Sequence, residues 1–140
     1  MEKWIIYAIL SMFFAGLTSV IAKFGLKEIS ADVGLAIRTS IVFIFISMNA
    51  IFFQNIKELQ FVTRRSVLFL VISGITTSLS WIFYYRAMKT GIVSYVASID
   101  KASIVITLLL SFILLKEPVT PKIIIGATLI VAGMLVLIYK

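Results

Sequence analysis

The sequence predicts an all-α membrane protein, a bundle of five transmembrane helices. Three observations carry this. Apolar residues make up 61% of the 140-residue chain, charged residues only 14%, and mean hydropathy is +1.14. Soluble domains run at roughly 45–50% apolar and about 25% charged, and a soluble fold of this length has too much surface to hide the excess. The apolar residues also gather into five long stretches, at 4–22, 33–53, 67–88, 92–115 and 123–139. Each comes near the ~20 residues that cross about 30 Å of hydrocarbon. Finally, runs such as 41–47 and 104–115 lack the in–out alternation of a β-barrel strand, so helices are the predicted spanning form.

The first stretch follows Met1-Glu2-Lys3, where Glu2 cancels Lys3. That is a weak start for a cleaved signal peptide, and the stretch outruns the usual apolar region of one, so it is expected to stay as a span. Ser11, Ala15, Thr18 and Ala22 set small residues along one face, which favours close helix approach. Residues 23–32 connect to the second stretch, which holds Arg38 about one and a half turns inside and Asn49 three turns further on the same face. Residues 54–66 connect to the third, where Ser73, Thr77, Ser80 and Tyr84 form one hydroxyl stripe beside Trp81 and Tyr85. A tight turn at Lys89-Thr90-Gly91 follows, where Gly91 can take positive φ and end the helix. The fourth stretch carries Asp100 and Lys101 about two turns inside. Pro118 and Pro121 forbid a continuous helix through the next loop. In the fifth, Gly126, Gly133, Thr128 and Ala132 form a close-packing surface for another helix or a second copy. Short loops make neighbouring helices antiparallel. With no internal repeat or linker, residues 1–140 read as one five-helix domain.

The chain has no Cys and no His, which removes thiol chemistry and the commonest general base and metal ligand. No cofactor motif is present, and an enzyme is not expected. The net charge of +7 raises nucleic acid as a partner in a soluble protein; here it becomes a question of sidedness. On the side of the N-terminus stand six positive residues, Lys3, Lys57, Arg64, Arg65, Lys116 and Lys122. The opposite side has five, Lys23, Lys27, Arg86, Lys89 and Lys140, while Arg38 and Lys101 lie inside spans nearer that side. So even a division gives the positive-inside rule almost nothing to act on. It is what insertion in both orientations, with antiparallel pairing of copies, requires.

Charged groups inside a membrane are costly, and so are functional candidates by default. Arg38 can bind an anionic group on a substrate or a headgroup phosphate, or it can snorkel to the interface. Asp100 and Lys101 point about 100° apart on a helix and are not expected to pair with each other naturally. Asp100 shares its face with Ser103 and Thr107, and Lys101 with Ser94 and Ser98, as on a helix wedged inside a bundle. Asp100 can carry a proton or bind a cation, and Lys101 can hold an anion. The alternative is a structural network, for example Asp100 with Arg86 or Lys101. Trp81 and the hydroxyl stripe either wall a cavity or pack against a neighbour. The candidate substrate-binding set is Arg38, Ser80, Trp81, Tyr84, Asp100 and Lys101.

Residues 74–94, GITTSLSWIFYYRAMKTGIVS, resemble the third-to-fourth helix segment of the EamA domain, as does 99–103, IDKAS. Residues 114–120, LLKEPVT, with 125–133, IGATLIVAG, are similar to that domain's closing signature. Trp4, Phe14-Ala15, Lys23-Phe24-Gly25-Leu26 and Arg38 fit its first half, so the resemblance covers essentially the whole chain. It implies one repeat of the drug/metabolite transporter superfamily, whose usual members join two five-helix repeats of opposite orientation. Many members carry a proline where this chain has Ile99-Asp100-Lys101-Ala102; the short single-repeat members tend to Asp-Lys. The small multidrug pumps use a first-helix glutamate absent here, so their proton-coupled export is not carried over.

The resemblance implies a subunit that moves a small metabolite or drug-like solute across the cytoplasmic membrane. The expected partner is a second copy inserted the other way, or a similar short protein, and nucleic acid is not expected as a partner. A non-transporting membrane subunit and a translocase for lipid carriers, gripping phosphate with Arg38, Lys101 and Arg86, are the alternatives.

Overall fold

The computed structural model describes residues 2–53 and 61–139. Every regular element among them is helical: α1 (Lys3–Gly25), α2 (Ala31–Phe53), α3 (Arg64–Thr90), α4 (Val93–Lys101), α5 (Ser103–Leu110) and α6 (Pro121–Ile138), with a π turn at Ser111–Leu115. Five segments are long and apolar enough to cross a membrane, with mean hydropathies from 1.8 to 2.3; the fourth runs through α4, α5 and the π turn. The helices begin and end a little beyond most of the hydropathy limits, because Lys3, Lys23 and Arg64 stay in the hydrogen-bonded ladder where hydrophobicity has already fallen. The expected loop at 54–60, with Lys57, and the terminal Lys140 lie outside the described residues.

Local chemistry sets the ends. Ser30 Oγ accepts from the Val33 N–H at 3.3 Å, Thr63 Oγ1 from Ser66 at 3.1 Å, and Thr120 Oγ1 from Ile123 at 3.4 Å, with Pro121 opening α6. Between α4 and α5 the Ala102 N–H donates to the Ile99 carbonyl, and Val105 to Ala102, both at 3.0 Å. This short 3₁₀ turn interrupts the fourth span without proline or glycine. The π turn ends on Lys116 at φ 54, the one non-glycine residue at positive φ among the described residues. The Ser111 hydroxyl and the Glu117 carboxylate bond across it, and Pro118 prevents the helix from resuming. Gly91, which can take positive φ, does not use it here. The Lys23 ammonium already bonds the carbonyls of Met88 and Lys89 at the end of α3, so no left-handed cap is needed to satisfy them.

The chain forms two compact units. One holds α1 through Ser19 together with residues from Gly91 onward, in which α4 and α5 lie against α6. The other, Val20–Thr90, packs α2 along α3. Among the described residues the buried apolar side chains, Leu26, Ala31, Leu35, Tyr85 and Met88, all belong to this second unit. A Cβ built at Gly34 would lie 2.5 Å from Leu26 Cδ2, so glycine is what lets α2 approach the turn after α1. Hydroxyls along the spans bond their own helix: Thr77 to the Ser73 carbonyl at 2.8 Å, Ser98 to Ser94 at 2.7 Å and Thr107 to Ser103 at 3.1 Å.

Candidate functional site

The face that α3 turns toward α2 carries Trp81 and Tyr85, one helical turn apart. Arg38 of α2 meets both. Its Cζ lies 4.5 Å from the Trp81 ring centroid and 5.7 Å from that of Tyr85. Tyr85 is only 4% exposed and is packed among the buried apolar side chains, so one wall of the stack is fixed. Such cation–π contacts contribute from ~0.5–1 kcal/mol when exposed to about 2 kcal/mol when desolvated. Arg38 itself is half-buried. Its Nη1 is covered by protein and has no hydrogen-bond acceptor. Tyr84 stands beside the stack, its ring 6.4 Å from that of Tyr85, and Ser80 is exposed on the same stretch of α3.

Below the stack, toward the helix ends, the charges are matched. Arg86 holds Asp32 with two bonds, Nε to Oδ1 at 3.1 Å and Nη2 to Oδ2 at 3.2 Å. Lys23 Nζ donates to the carbonyls of Met88 at 2.6 Å and Lys89 at 3.3 Å. Lys89 Nζ returns the contact to Leu26 at 2.5 Å and Lys27 at 3.0 Å. Each ammonium thus sits on the negative end of the other helix.

Asp100 and Lys101 lie in the other unit, at the end of α4. They pair with each other, Nζ to Oδ2 at 3.5 Å, contrary to the expectation from their angular separation. The long lysine stem spans the 100° between neighbouring positions. Lys101 is 67% exposed along its side chain and Asp100 39%, so the lysine side is uncovered within one chain. Arg86, weighed as a partner of Asp100, is bonded to Asp32.

Of the six candidate residues, then, the structure joins Arg38 with Trp81 and Asp100 with Lys101. Asp32 was missed by sequence reasoning. Its signal was present: α2 begins and α3 ends on the same side, with opposite charges near those ends.

A helical chain with five spans, a cation gripped by aromatic rings inside them and hydroxyls bonded to their own backbones is a multi-pass membrane protein. It belongs to the EamA-like transporter family, whose match runs over residues 2–139. It is 35% identical over 136 residues to an uncharacterized transporter in the cobO 3' region of Sinorhizobium sp., covering 97% of this chain and 96% of that protein. No solved structure matches the chain.

Proposed function

We propose that the protein is a transporter subunit moving a small metabolite or drug-like solute across the cytoplasmic membrane, working as an antiparallel dimer by alternating access. The observation that carries the reading is Arg38. A cation is kept inside a membrane span, stacked on aromatic rings, with a covered nitrogen that no acceptor meets. Membranes tolerate such a group where it serves a pathway. Transporters of inverted repeats place their sites between repeats, often at interrupted helices, and the fourth span is interrupted beside Asp100 and Lys101. The even charge division supports the inverted pair. The lipid-carrier reading is less favoured, because Arg86 already holds a carboxylate, Asp32, that a phosphate would have to displace.

The test is uptake of a metabolite panel by proteoliposomes. Wild type is expected to move at least one solute, and Arg38→Gln, Asp100→Asn and Lys101→Gln each to slow it about tenfold or more, the loss of roughly one charge-assisted contact. Variants that match wild type on every solute moved would place the site elsewhere.

A further inference from the structure

We infer that Arg38, with Trp81 and Tyr85, is a recognition site for the monoanionic head of an organic ligand, a carboxylate or a singly charged phosphate ester. This names the substrate class and rests on the transporter reading of the same site. Among the described residues the charge of Arg38 is unanswered: the ion pairs join Asp32 to Arg86 and Asp100 to Lys101, and no carboxylate pairs with Arg38. The rings answer only part of the need. Stacking engages the face of a guanidinium, whereas its five N–H donors point outward along its edges. Nη1 is covered by protein and meets no acceptor, so an oxyanion is received on the guanidinium's other edge, Nε with Nη2. That edge of the planar fork matches it with two parallel bonds.

Snorkelling does not account for the side chain. Arg38 is seven residues from the start of α2 at Ala31, and Trp81 is nine from the end of α3 at Thr90, on the same side of the membrane. The guanidinium therefore lies over a ring set at least as deep as its own backbone, rather than reaching toward the headgroups. Charge balance fixes the ligand class. One anion neutralises one guanidinium, while a dianion or a neutral ligand leaves a net charge in a medium that penalises it. Half-buried Trp81 and Tyr84 offer ring surface for the ligand's apolar body.

The chain has two tryptophans, so Trp4→Phe leaves Trp81 as the reporter. Full-length protein in phosphatidylcholine nanodiscs is titrated with benzoate and with its neutral isostere benzamide. A second arm adds phosphatidylglycerol to the discs in place of benzoate. Benzoate is expected to change Trp81 emission saturably and benzamide not. Arg38→Gln should weaken the response at least tenfold, and Arg38→Lys, which keeps charge but not the fork, should weaken it less. A response to phosphatidylglycerol alone supports the same anion chemistry with a lipid head as its source. Equal responses to benzoate and benzamide, silence toward both anions, or an Arg38→Lys protein that folds and matches Arg38 overturn the inference. Saturable benzoate binding without uptake in proteoliposomes would keep the site and remove the transporter reading. Uptake of solutes unaffected by Arg38→Lys would do the reverse.

Discussion

At Gly34 a single methyl group decides whether α2 can lie against the turn that follows α1. The space where a Cβ would stand is filled by Leu26, itself 2% exposed and unable to swing away freely. Gly34→Ala is therefore expected to destabilise by about 1–3 kcal/mol, the usual cost of overpacking. Thermal unfolding in detergent measures it, with Gly74→Ala, which meets no atom within 4 Å, as the control that stays neutral or gains slightly. Leu26→Ala in the Gly34→Ala background should recover part of the loss. Sequence alone could not assign this glycine, because its reason is a neighbour eight residues away across a turn. Arg38 was legible because a charge in an apolar run stands out by composition. Its partner Tyr85 was not, since a buried aromatic and a ligand-facing one look identical in a string of letters. The option open to Gly91 was undecidable for a related reason: a glycine after a helix forms a left-handed cap only when nothing else satisfies the last carbonyls, and Lys23 does so here.

Between elements, the ends of α1 and α3 are held by exchange. Lys23 bonds carbonyls of Met88 and Lys89, and Lys89 bonds those of Leu26 and Lys27. Hydrogen bonds from charged donors contribute about 1.5–3 kcal/mol each when partly buried. Lys23→Met and Lys89→Met keep the apolar stems and remove the donors; with one short bond dominating each pair, each change is expected to cost about 1.5–3 kcal/mol. Either change frees the same two ends, so the double variant should cost less than the sum by at least ~0.5 kcal/mol. A double-mutant cycle by denaturant unfolding in mixed micelles reads this; strict additivity would mean the two lysines act on separate structures. The neighbouring Asp32–Arg86 pair, with side chains 62% and 58% exposed, adds little beside them. Helix existence was easy to read at this scale because hydropathy reports it directly. The break at Ala102 was not, for it uses neither proline nor glycine and shows only as two i→i+3 bonds. Asp100-Lys101 marked the place by charge without revealing the turn.

The chain covers little of its own apolar surface: among the described residues the buried side chains are five, all in one unit, while many Phe, Ile and Leu side chains on the spans stay exposed. Lipid covers some of that surface, and on the reading proposed above a second, inverted copy covers the rest. Charge gives this reading its sharpest consequence. With six positive residues on one side and five on the other, small changes should tip the orientation. Arg64→Gln with Arg65→Gln leaves four against five, and Lys23→Gln with Lys27→Gln leaves six against three. C-terminal reporters active only inside or only outside the cell should both respond in wild type. In the first variant the population should shift toward an N-terminus outside, and in the second toward an N-terminus inside. Each variant alone should transport poorly, and the two expressed together should recover activity by supplying both orientations. Lys23 also clamps α3, so Lys27→Gln with Arg86→Gln serves as a second route to the same bias, at six against three. A wild type found in one orientation only, or variants that transport equally well alone, would remove the inverted homodimer and leave a separately encoded partner as the way to complete the pair.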